Sequence, residues 1–315
     1  MQAYIIRRLV AGVGILLILS VAVFLLLRIA PGDPAKLRCG LSCTPTQLTA
    51  IRAELGLDHS LGVQYFTWLG DVVTGDLGQA TFTRKPVIDS IKQRLPITLE
   101  LLIITILITV AIGVPFGIIS ALYRNSPADF VVRISAVFGL AVPNFWIATL
   151  VLMIPLALWG YAPPLNRTVG FFDDPLTNLR QFGPPAAVLG LASAAGIMRL
   201  TRSSLLEVLR TDYIRTARSK GLRESVVITR HALKNSVIPV VTVIGLQVAG
   251  LLGGTVIIEQ IFALPGLGRY FFQTLVTRDF TVVQSLTLYI GVIVVLMNLL
   301  VDISYAWLDP RIRYA

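Results

Sequence analysis

Few residues in this chain have side chains that could do metal or redox chemistry at a defined spacing. The two cysteines, Cys39 and Cys43, form a C-x3-C pair, and the two histidines are His59 and His231. Because a tetrahedral zinc site needs four ligands, two thiols alone make a poor metal site. The pair favours a local disulfide, then free thiols, with a bound metal least favoured.

Catalytic signatures are also missing. The sequence contains no G-x-x-x-x-G-K-[ST] phosphate loop, no H-E-x-x-H and no G-x-S-x-G. The glycine-rich stretch at 250–260 lacks the lysine of a phosphate loop. Covalent and metal-dependent catalysis therefore have little support, and the sequence predicts neither an enzyme nor a cofactor in this chain.

The densest polar chemistry is a basic stretch at 212–239, DYIRTARSKGLRESVVITRHALKNSVIP, set between two apolar runs. Its cations outnumber its two acids, Asp212 and Glu224. They are Arg215, Arg218, Lys220, Arg223, Arg230 and Lys234. The role of this stretch depends on the apolar runs that flank it and on the side of the membrane where it lies.

The composition predicts an integral membrane protein. The chain is 55% hydrophobic and 14% charged, whereas soluble domains carry about 25% charged residues. Six charge-free runs approach or exceed the roughly 20 residues that a spanning helix needs. They are Leu9–Leu27, Leu101–Tyr123, Ile134–Asn166, Gln181–Met198, Asn235–Ile258 and Phe280–Val301. These runs predict an all-α membrane protein with six transmembrane helices.

The first run could instead be a signal peptide, since Arg7 and Arg8 precede it. It is longer than a signal core, and no A-x-A cleavage site follows. A retained anchor helix at 1–30 is favoured. An extracytoplasmic helical segment at 31–96 and a permease core at 97–315, with a cytoplasmic loop at 200–238, complete the predicted organisation.

Charge distribution predicts the orientation. The connections that would face the cytoplasm carry 15 Lys and Arg, against 11 on the other side. Seven of those 11 lie at 31–96, where six acids balance them. By the positive-inside rule both termini are cytoplasmic. The excess of Lys and Arg on the cytoplasmic side then accounts for much of the net charge of +10. No nucleic-acid partner is predicted.

The outer segment contains residues that are typical of helix starts and helix ends. Thr44 with Pro45 predicts a helix start, and Gly56 predicts its end. A second helix would carry Trp68 at the membrane interface, and a third short helix is expected over KPVIDSIKQRLP at 85–96. The segment either receives a partner or is a packed loop with no ligand role. In the fourth run, Gly190, Ala194 and Ala195 predict close helix packing.

The basic stretch predicts a bent arm. TRSSLLEVLRTDYIRTARSK, residues 201–220, would continue the helix of the fourth run until Lys220 and Gly221 stop it. A second helix from about Glu224 to Asn235 would then lead into the fifth run. The apolar positions of this arm would need a docked protein to cover them. The alternative is a basic loop that binds lipid headgroups.

The stretch resembles the cytoplasmic loop of ABC-importer permeases, with its E-A-A-x-x-x-G pattern, in the form used by the dipeptide/oligopeptide/nickel permease family. Of the generic pattern only Ala217, Gly221 and Leu233 match, and Arg215 replaces the glutamate. The peptide-family form, DYIRTARAKGL followed by RHALRNALIPV, matches nearly throughout. APGDP, LGLD, GDLG, RLPITLEL, FWIA, PGLGR and LDPRIRY extend the resemblance over nearly the whole chain.

The resemblance implies a half-channel that pairs with a second, similar permease. Two cytoplasmic ATPases would supply ATP and Mg²⁺ chemistry, and an extracytoplasmic peptide-binding protein would deliver solute. The residues it implies at the ATPase contact are Arg215, Ala217, Arg218, Lys220, Gly221, Leu222, Arg223 and Glu224. Those it implies at an outer docking site or gate are Trp68, Leu264, Pro265 and Gly266. Localisation would be a bacterial or archaeal cytoplasmic membrane.

Two other function classes fit less well. A self-contained secondary carrier would need acids or histidines near the membrane centre, and the runs contain few. A membrane enzyme or scaffold would need a catalytic constellation. The solute of the resembling family can be a dipeptide, a longer peptide, a nickel chelate or haem, and the sequence does not choose among them.

Overall fold

The computed structural model describes residues 2–29, 32–40, 43–160 and 168–308. Its α-helices are α1 (Gln2–Ile29), α2 (Pro34–Cys39), α3 (Pro45–Glu54), α4 (Leu61–Val73), α5 (Val87–Leu122), α6 (Pro127–Ala141), α7 (Asn144–Trp159), α8 (Pro175–Val208), α9 (Asp212–Ser219), α10 (Glu224–Val226), α11 (Leu233–Ile261), α12 (Leu267–Val276) and α13 (Phe280–Leu308). A π-helical turn, Val227–Ala232, joins α10 to α11. Within the described ranges there is no strand, and one isolated bridge links Gln79 and Pro86. The end of the third apolar run and most of LDPRIRY lie outside these ranges.

The helices are those of a multi-pass membrane protein. In the described part of the chain, four segments are long and apolar enough to cross a bilayer: Ile6–Ile29, Val87–Leu122, Glu224–Val248 and Phe280–Asp302. The pair α6 and α7 would make a fifth if it counts as one span. The all-helical class is therefore confirmed, whereas six spans, with α8 as one of them, stays a prediction.

The third apolar run does not form one straight helix as predicted. It breaks between α6 and α7, whose axes differ by 97°. Val142 has an extended backbone, with ψ of 128°, because a residue before proline is disfavoured in the α region. Pro143 then precedes the first residue of α7.

The third short outer helix expected at 85–96 is also wrong as a separate element. Residues 87–96 are the beginning of α5, which runs for 36 residues and contains Pro96. A proline removes one helical hydrogen bond. Packing on both sides compensates for that loss, since Ile91 and Leu101 are both fully buried.

The chain divides into two compact units. Unit 1 comprises Met1–Pro96 and Gly266–Leu299, and unit 2 comprises Ile97–Pro265 and Leu300–Ala315. In unit 1 the buried cluster consists of Ala80, Val87, Ile91, Leu267, Val282 and Leu286. In unit 2 the largest cluster draws on α5, α7, α8 and α11 and is centred on Leu101, Phe182 and Ile258. The three-part organisation inferred from the sequence stays a prediction.

The caps predicted for the outer segment are confirmed. The Thr44 hydroxyl accepts the Gln47 N–H at the start of α3, and the Gln47 side chain accepts the Thr44 N–H in return. Gly56, with φ of 64°, follows the end of α3. The sulfurs of Cys39 and Cys43 are bonded, with Cα atoms 5.3 Å apart.

The close packing predicted for α8 is confirmed, and α5 is one of its partners. A Cβ atom on Gly190 would lie 2.8 Å from the Ile108 side chain and 3.0 Å from the Thr105 carbonyl oxygen. Toward the other end of the contact, a Cβ on Gly117 would lie 2.8 Å from the Met198 carbonyl oxygen. These two helices therefore touch through backbone atoms.

Candidate coupling site

The basic stretch begins with a short separate helix, α9, and does not continue α8. The helix α8 ends at Val208, and Thr211 has ψ of 154° at the N-cap position of α9. The Thr211 hydroxyl donates to the Val208 carbonyl oxygen at 2.6 Å. A side chain that bonds its own preceding backbone competes with helix continuation, so the chain turns at 209–211. We call residues 209–235 the basic elbow.

The apolar face of α9 is covered by the chain itself, so the expectation that it needs a docked protein is wrong for most of its positions. Ile214 is fully buried and Ala217 is 7% exposed. They join a cluster that also contains Ala121, Leu205, Val227 and Ala232. Burial of such side chains stabilises the elbow against the ends of α5 and α8 by about 25 cal/mol per Å² of apolar surface.

Two apolar side chains of the elbow remain at its surface. Tyr213 is 43% exposed and Leu222 is 40% exposed. The Asn235 side-chain amide donates to the Tyr213 hydroxyl at 2.8 Å, which ties α9 to the first turn of α11. Leu222 stands beside the corner, where a partner could cover it.

The predicted stop at Gly221 is confirmed. Gly221 has φ of 76°, a left-handed conformation that costs an L-residue roughly 1–2 kcal/mol, and its N–H donates to the Arg218 carbonyl oxygen at 2.9 Å. A Cβ built on Gly221 meets no atom within 4 Å. The backbone angle, and not crowding, therefore selects glycine at this corner.

The charges around the corner are partly paired with each other. Arg218 holds Glu224 through two hydrogen bonds, Nε to Oε2 at 3.1 Å and Nη2 to Oε1 at 2.6 Å. Hydrogen bonding to Glu224 raises the pKa of Arg218. Arg215 pairs with Asp212 at 3.2 Å.

Two predicted contact residues keep their charge unpaired. Lys220 and Arg223 are exposed, and within the described residues neither forms an ion pair. Ala217, by contrast, points into the cluster, so it sets how closely α9 lies on the chain and offers no outward contact.

Sequence reasoning missed an ion pair beside the elbow. Asp129, in the first turn of α6, is 1% exposed. Arg202 of α8 donates to its two carboxylate oxygens, from Nε at 2.9 Å and from Nη2 at 3.0 Å. Ser120 of α5 and the Asn125 N–H also donate to this carboxylate. Asp129 therefore ties together α5, α6 and α8.

Only part of this arrangement had a signal in the sequence. S-P-A-D at 126–129 is a helix start, and the Ser126 hydroxyl accepts the Asp129 N–H at 3.3 Å. The partner, Arg202, is 73 residues away, and no local pattern points to it. Arg202 precedes the buried Leu205 by three residues, so the ion pair lies on the same helix end as the cluster under α9.

The predicted outer residues are divided between the units. In unit 1, Trp68 of α4 is half-buried and stacks on Phe24, with ring centroids 6.2 Å apart, while Gly266 is buried. In unit 2, Leu264 is 4% exposed and belongs to the largest cluster, and Pro265 is half-buried. Because Leu264 folds back onto its own core, it is not available as a surface contact.

Nearly the whole chain matches two family descriptions in sequence. Residues 113–314 match the binding-protein-dependent transport system inner membrane component, and residues 1–102 match the N-terminal part of such membrane components. The chain belongs to this family. The family supplies the membrane component of a transport system, so this chain is a permease subunit and not a catalytic one.

Curated relatives match over the full length. A putative peptide transport system permease of Brucella abortus (strain 2308) is 42% identical over 314 residues, which cover 100% of both chains. A dipeptide transport system permease of Alkalihalophilus pseudofirmus is 39% identical over 333 residues. An oligopeptide transport system permease of Bacillus subtilis (strain 168) is 39% identical over 321 residues. The last two alignments also cover 100% of both chains.

Solved structures share the fold at low identity. An inward-facing structure of the MetNI methionine ABC transporter has a TM-score of 0.57, is 16% identical and covers 70% of this chain and 97% of its own. A second crystal form gives a TM-score of 0.55 at 15% identity, covering 70% and 96%. At this identity the likeness shows a permease fold and nothing about the solute.

Proposed function

We propose that this chain is the membrane permease of an ATP-driven importer of dipeptides or short oligopeptides and forms half of the translocation path. The observation that carries the proposal is full-length identity of about 40% to relatives named as peptide, dipeptide and oligopeptide permeases. The aligned part covers the full chain, so it includes the basic elbow at 209–235.

The basic elbow is the proposed contact with the ATPase. Its support is a rigid base, in which Ile214 and Ala217 are buried, beneath a corner that leaves Lys220, Leu222 and Arg223 exposed. A packed base transmits a push to the helices under it, because protein interiors are dense and deform little. The proposed coupling residues are Arg215, Ala217, Arg218, Lys220, Gly221, Leu222, Arg223 and Glu224.

The assembly proposed around this chain has four kinds of partner. A second homologous permease completes the path, two cytoplasmic ATPases bind ATP and Mg²⁺, an extracytoplasmic binding protein delivers peptide, and the bilayer surrounds the spans. Six spans, with both termini cytoplasmic in a bacterial or archaeal inner membrane, place the elbow on the ATPase side. Trp68, Leu264, Pro265 and Gly266 remain the residues proposed for outer docking or the outer gate.

The experiment is reconstitution of the complex in proteoliposomes, with uptake of a radiolabelled dipeptide measured with and without ATP. In parallel, a photo-crosslinking amino acid replaces Leu222 in the elbow or, as a control, Val73, which is 79% exposed in the proposed outer segment. We expect ATP-dependent uptake, and an ATPase adduct from position 222 but not from position 73.

Two results would reject the proposal. Concentrative uptake by this chain alone, driven by an ion gradient, would replace the importer with a secondary carrier. Absence of an ATPase adduct at position 222, in a complex that still takes up peptide, would remove the elbow from the coupling contact.

A further inference from the structure

Unit 1 contains a cavity of about 480 Å³ that the coupling site does not use. This volume falls in the range of small-molecule sites, about 300–1,000 Å³. Its wall is one face of α4 together with the ends of α1 and α3, and its floor is the loop 76–81 with the first turns of α13. The charged and amide side chains used below are Arg28, Gln64, Asp71, Arg84 and Gln284.

The walls of this cavity are held in place by specific bonds. Arg28 donates from Nε to Gln64 at 3.0 Å, and its guanidinium lies 4.9 Å from the Phe24 ring centroid. The Gln64 amide in turn donates to the His59 carbonyl oxygen at 2.8 Å. The Arg28 Nη groups therefore have a fixed position at the cavity wall.

The floor is anchored to α13 in the same way. Thr81 donates to Asp279 from its N–H and its hydroxyl, both at 2.8 Å. Ser285 donates to the Leu77 carbonyl oxygen at 2.7 Å. The loop and the helix start thus form one surface, so the cavity does not depend on a free loop tip.

Gln284 is the observation that points to a ligand. Its side chain is 6% exposed and lines the cavity, yet within the described chain its amide has no hydrogen-bond partner. Both polar atoms of this amide keep some accessible surface, so water in the cavity satisfies them until a ligand replaces it. A ligand that offers both a donor and an acceptor would satisfy it.

Charges of both signs face the same space. Asp71, on the α4 face that also carries Gln64 and Trp68, is exposed and has no ion pair among the described residues, and the same holds for Arg84 across the cavity. With Arg28, the cavity presents guanidinium groups, carboxylates that include Asp71 and Asp76, and the amide of Gln284. Charge-assisted hydrogen bonds to a carboxylate and an ammonium group are the strong ones.

We infer that this cavity binds a short peptide with free termini. Arg28 and Arg84 take the terminal carboxylate, Asp71 takes the terminal ammonium, and Gln284 bonds the peptide amide. The choice of a peptide over another zwitterion rests on the proposed function. The conclusion that the ligand carries both charges and an amide rests on the side chains that line the cavity.

The test is equilibrium binding of radiolabelled dialanine to the purified full chain in nanodiscs, with no binding protein present. Competition with N-acetyl-dialanine, dialanine amide and free alanine identifies the required groups. Asp71→Asn and Gln284→Leu remove one contact each. The matched controls are Asp58→Asn, in the same outer region, and Gln273→Leu, at an exposed position, since neither residue lines the cavity.

We expect each cavity variant to weaken dialanine binding about tenfold, the effect of one lost hydrogen bond to a charged or buried group. The controls should bind normally, and the blocked peptides and alanine should compete poorly. Equal competition by alanine would assign the cavity to amino acids. Equal dialanine affinity in all four variants, or no saturable binding at millimolar peptide, would overturn the inference.

A protein ligand is a separate outcome. If a photo-crosslinker at Thr67, which lines the cavity, captures the peptide-binding protein and dialanine does not compete, the cavity receives protein and the inference is wrong. ATP-driven uptake by the whole complex is measured alongside. If the wild-type complex takes up dipeptide but the cavity does not bind it, only this site is rejected. If the wild-type complex shows no ATP-driven uptake of dipeptide, the proposed function is rejected.

Discussion

Arg218 and Glu224 clasp each other across the corner at Gly221, with Nη2 2.6 Å from Oε1. The pair bridges the five residues 219–223, which include a glycine with φ of 76°. It therefore holds the angle between α9 and the helix that leads into α11. It also uses the acid nearest the corner, so that Lys220 and Arg223 remain as the free charges there.

Breaking this pair should loosen the corner without unfolding the chain. We expect Arg218→Ala and Glu224→Ala each to destabilise by about 0.5 kcal/mol, because both partners are exposed and such pairs are weak. The double variant should cost less than the sum of the singles. Thermal unfolding in detergent measures the cycle. Strict additivity would mean that the two side chains do not interact.

Gly221 should tolerate asparagine better than valine. A Cβ at this position meets no atom within 4 Å, so the cost of substitution is the left-handed backbone, which asparagine adopts more readily than a β-branched residue. We expect Gly221→Val to reduce ATP-dependent uptake strongly and Gly221→Asn to reduce it little, with similar membrane insertion. Uptake and insertion are measured on the same vesicles. Equal loss in both variants would indicate that the absence of a side chain, and not the backbone angle, is what matters.

Removing one partner of the Asp129–Arg202 pair should be far more damaging. Asp129 is 1% exposed, and breaking a buried pair costs about 3–5 kcal/mol because a charge is left uncompensated. Asp129→Ala and Arg202→Ala should each lower the thermal midpoint clearly, and the double variant should recover part of the loss. A double variant as unstable as the sum of both singles would contradict the pairing.

The outer helices should depend on Cys39 and Cys43. The bond joins Cys39, the last residue of α2, to Cys43, which precedes α3, and Arg38 also pairs with Glu54 at 2.7 Å. We expect non-reducing mass spectrometry to find neither thiol alkylatable in the native protein. Cys39→Ser with Cys43→Ser should then increase protease cleavage at 34–54 while uptake persists. Two alkylatable thiols in the native protein would show that the bond is absent.

Acid should weaken the same region through Asp33. Burial alone would raise the pKa of Asp33, but hydrogen bonds from the Arg52 guanidinium and the Ala35 N–H outweigh it, and the pKa is lowered. A lowered folded-state pKa stabilises above the unfolded value of about 3.9 and is lost as pH falls through the folded value. We therefore expect protection of 34–54 from proteolysis to fall below about pH 4. Asp33→Asn should flatten that dependence, and an unchanged profile in this variant would exclude Asp33 as the cause.

Local sequence patterns were enough to predict several features of this protein. The apolar runs identify a membrane protein because length and composition alone decide whether a helix suits lipid. Thr44 and Gly221 mark a helix start and a helix stop because caps and left-handed turns act within a few residues. The family resemblance also rests on short sequence motifs. These motifs locate the basic elbow in the sequence without any knowledge of how the helices pack.

Tertiary structure decided which side chains of the elbow are free. The sequence left Ile214 and Ala217 looking exposed, because the end of α5 that helps to cover them lies about ninety residues earlier. It offered no link between Asp129 and Arg202, since their pairing depends on how α6 and α8 pack. A local pattern fixes the backbone of its own residues, whereas contacts between distant residues exist only once the helices have packed.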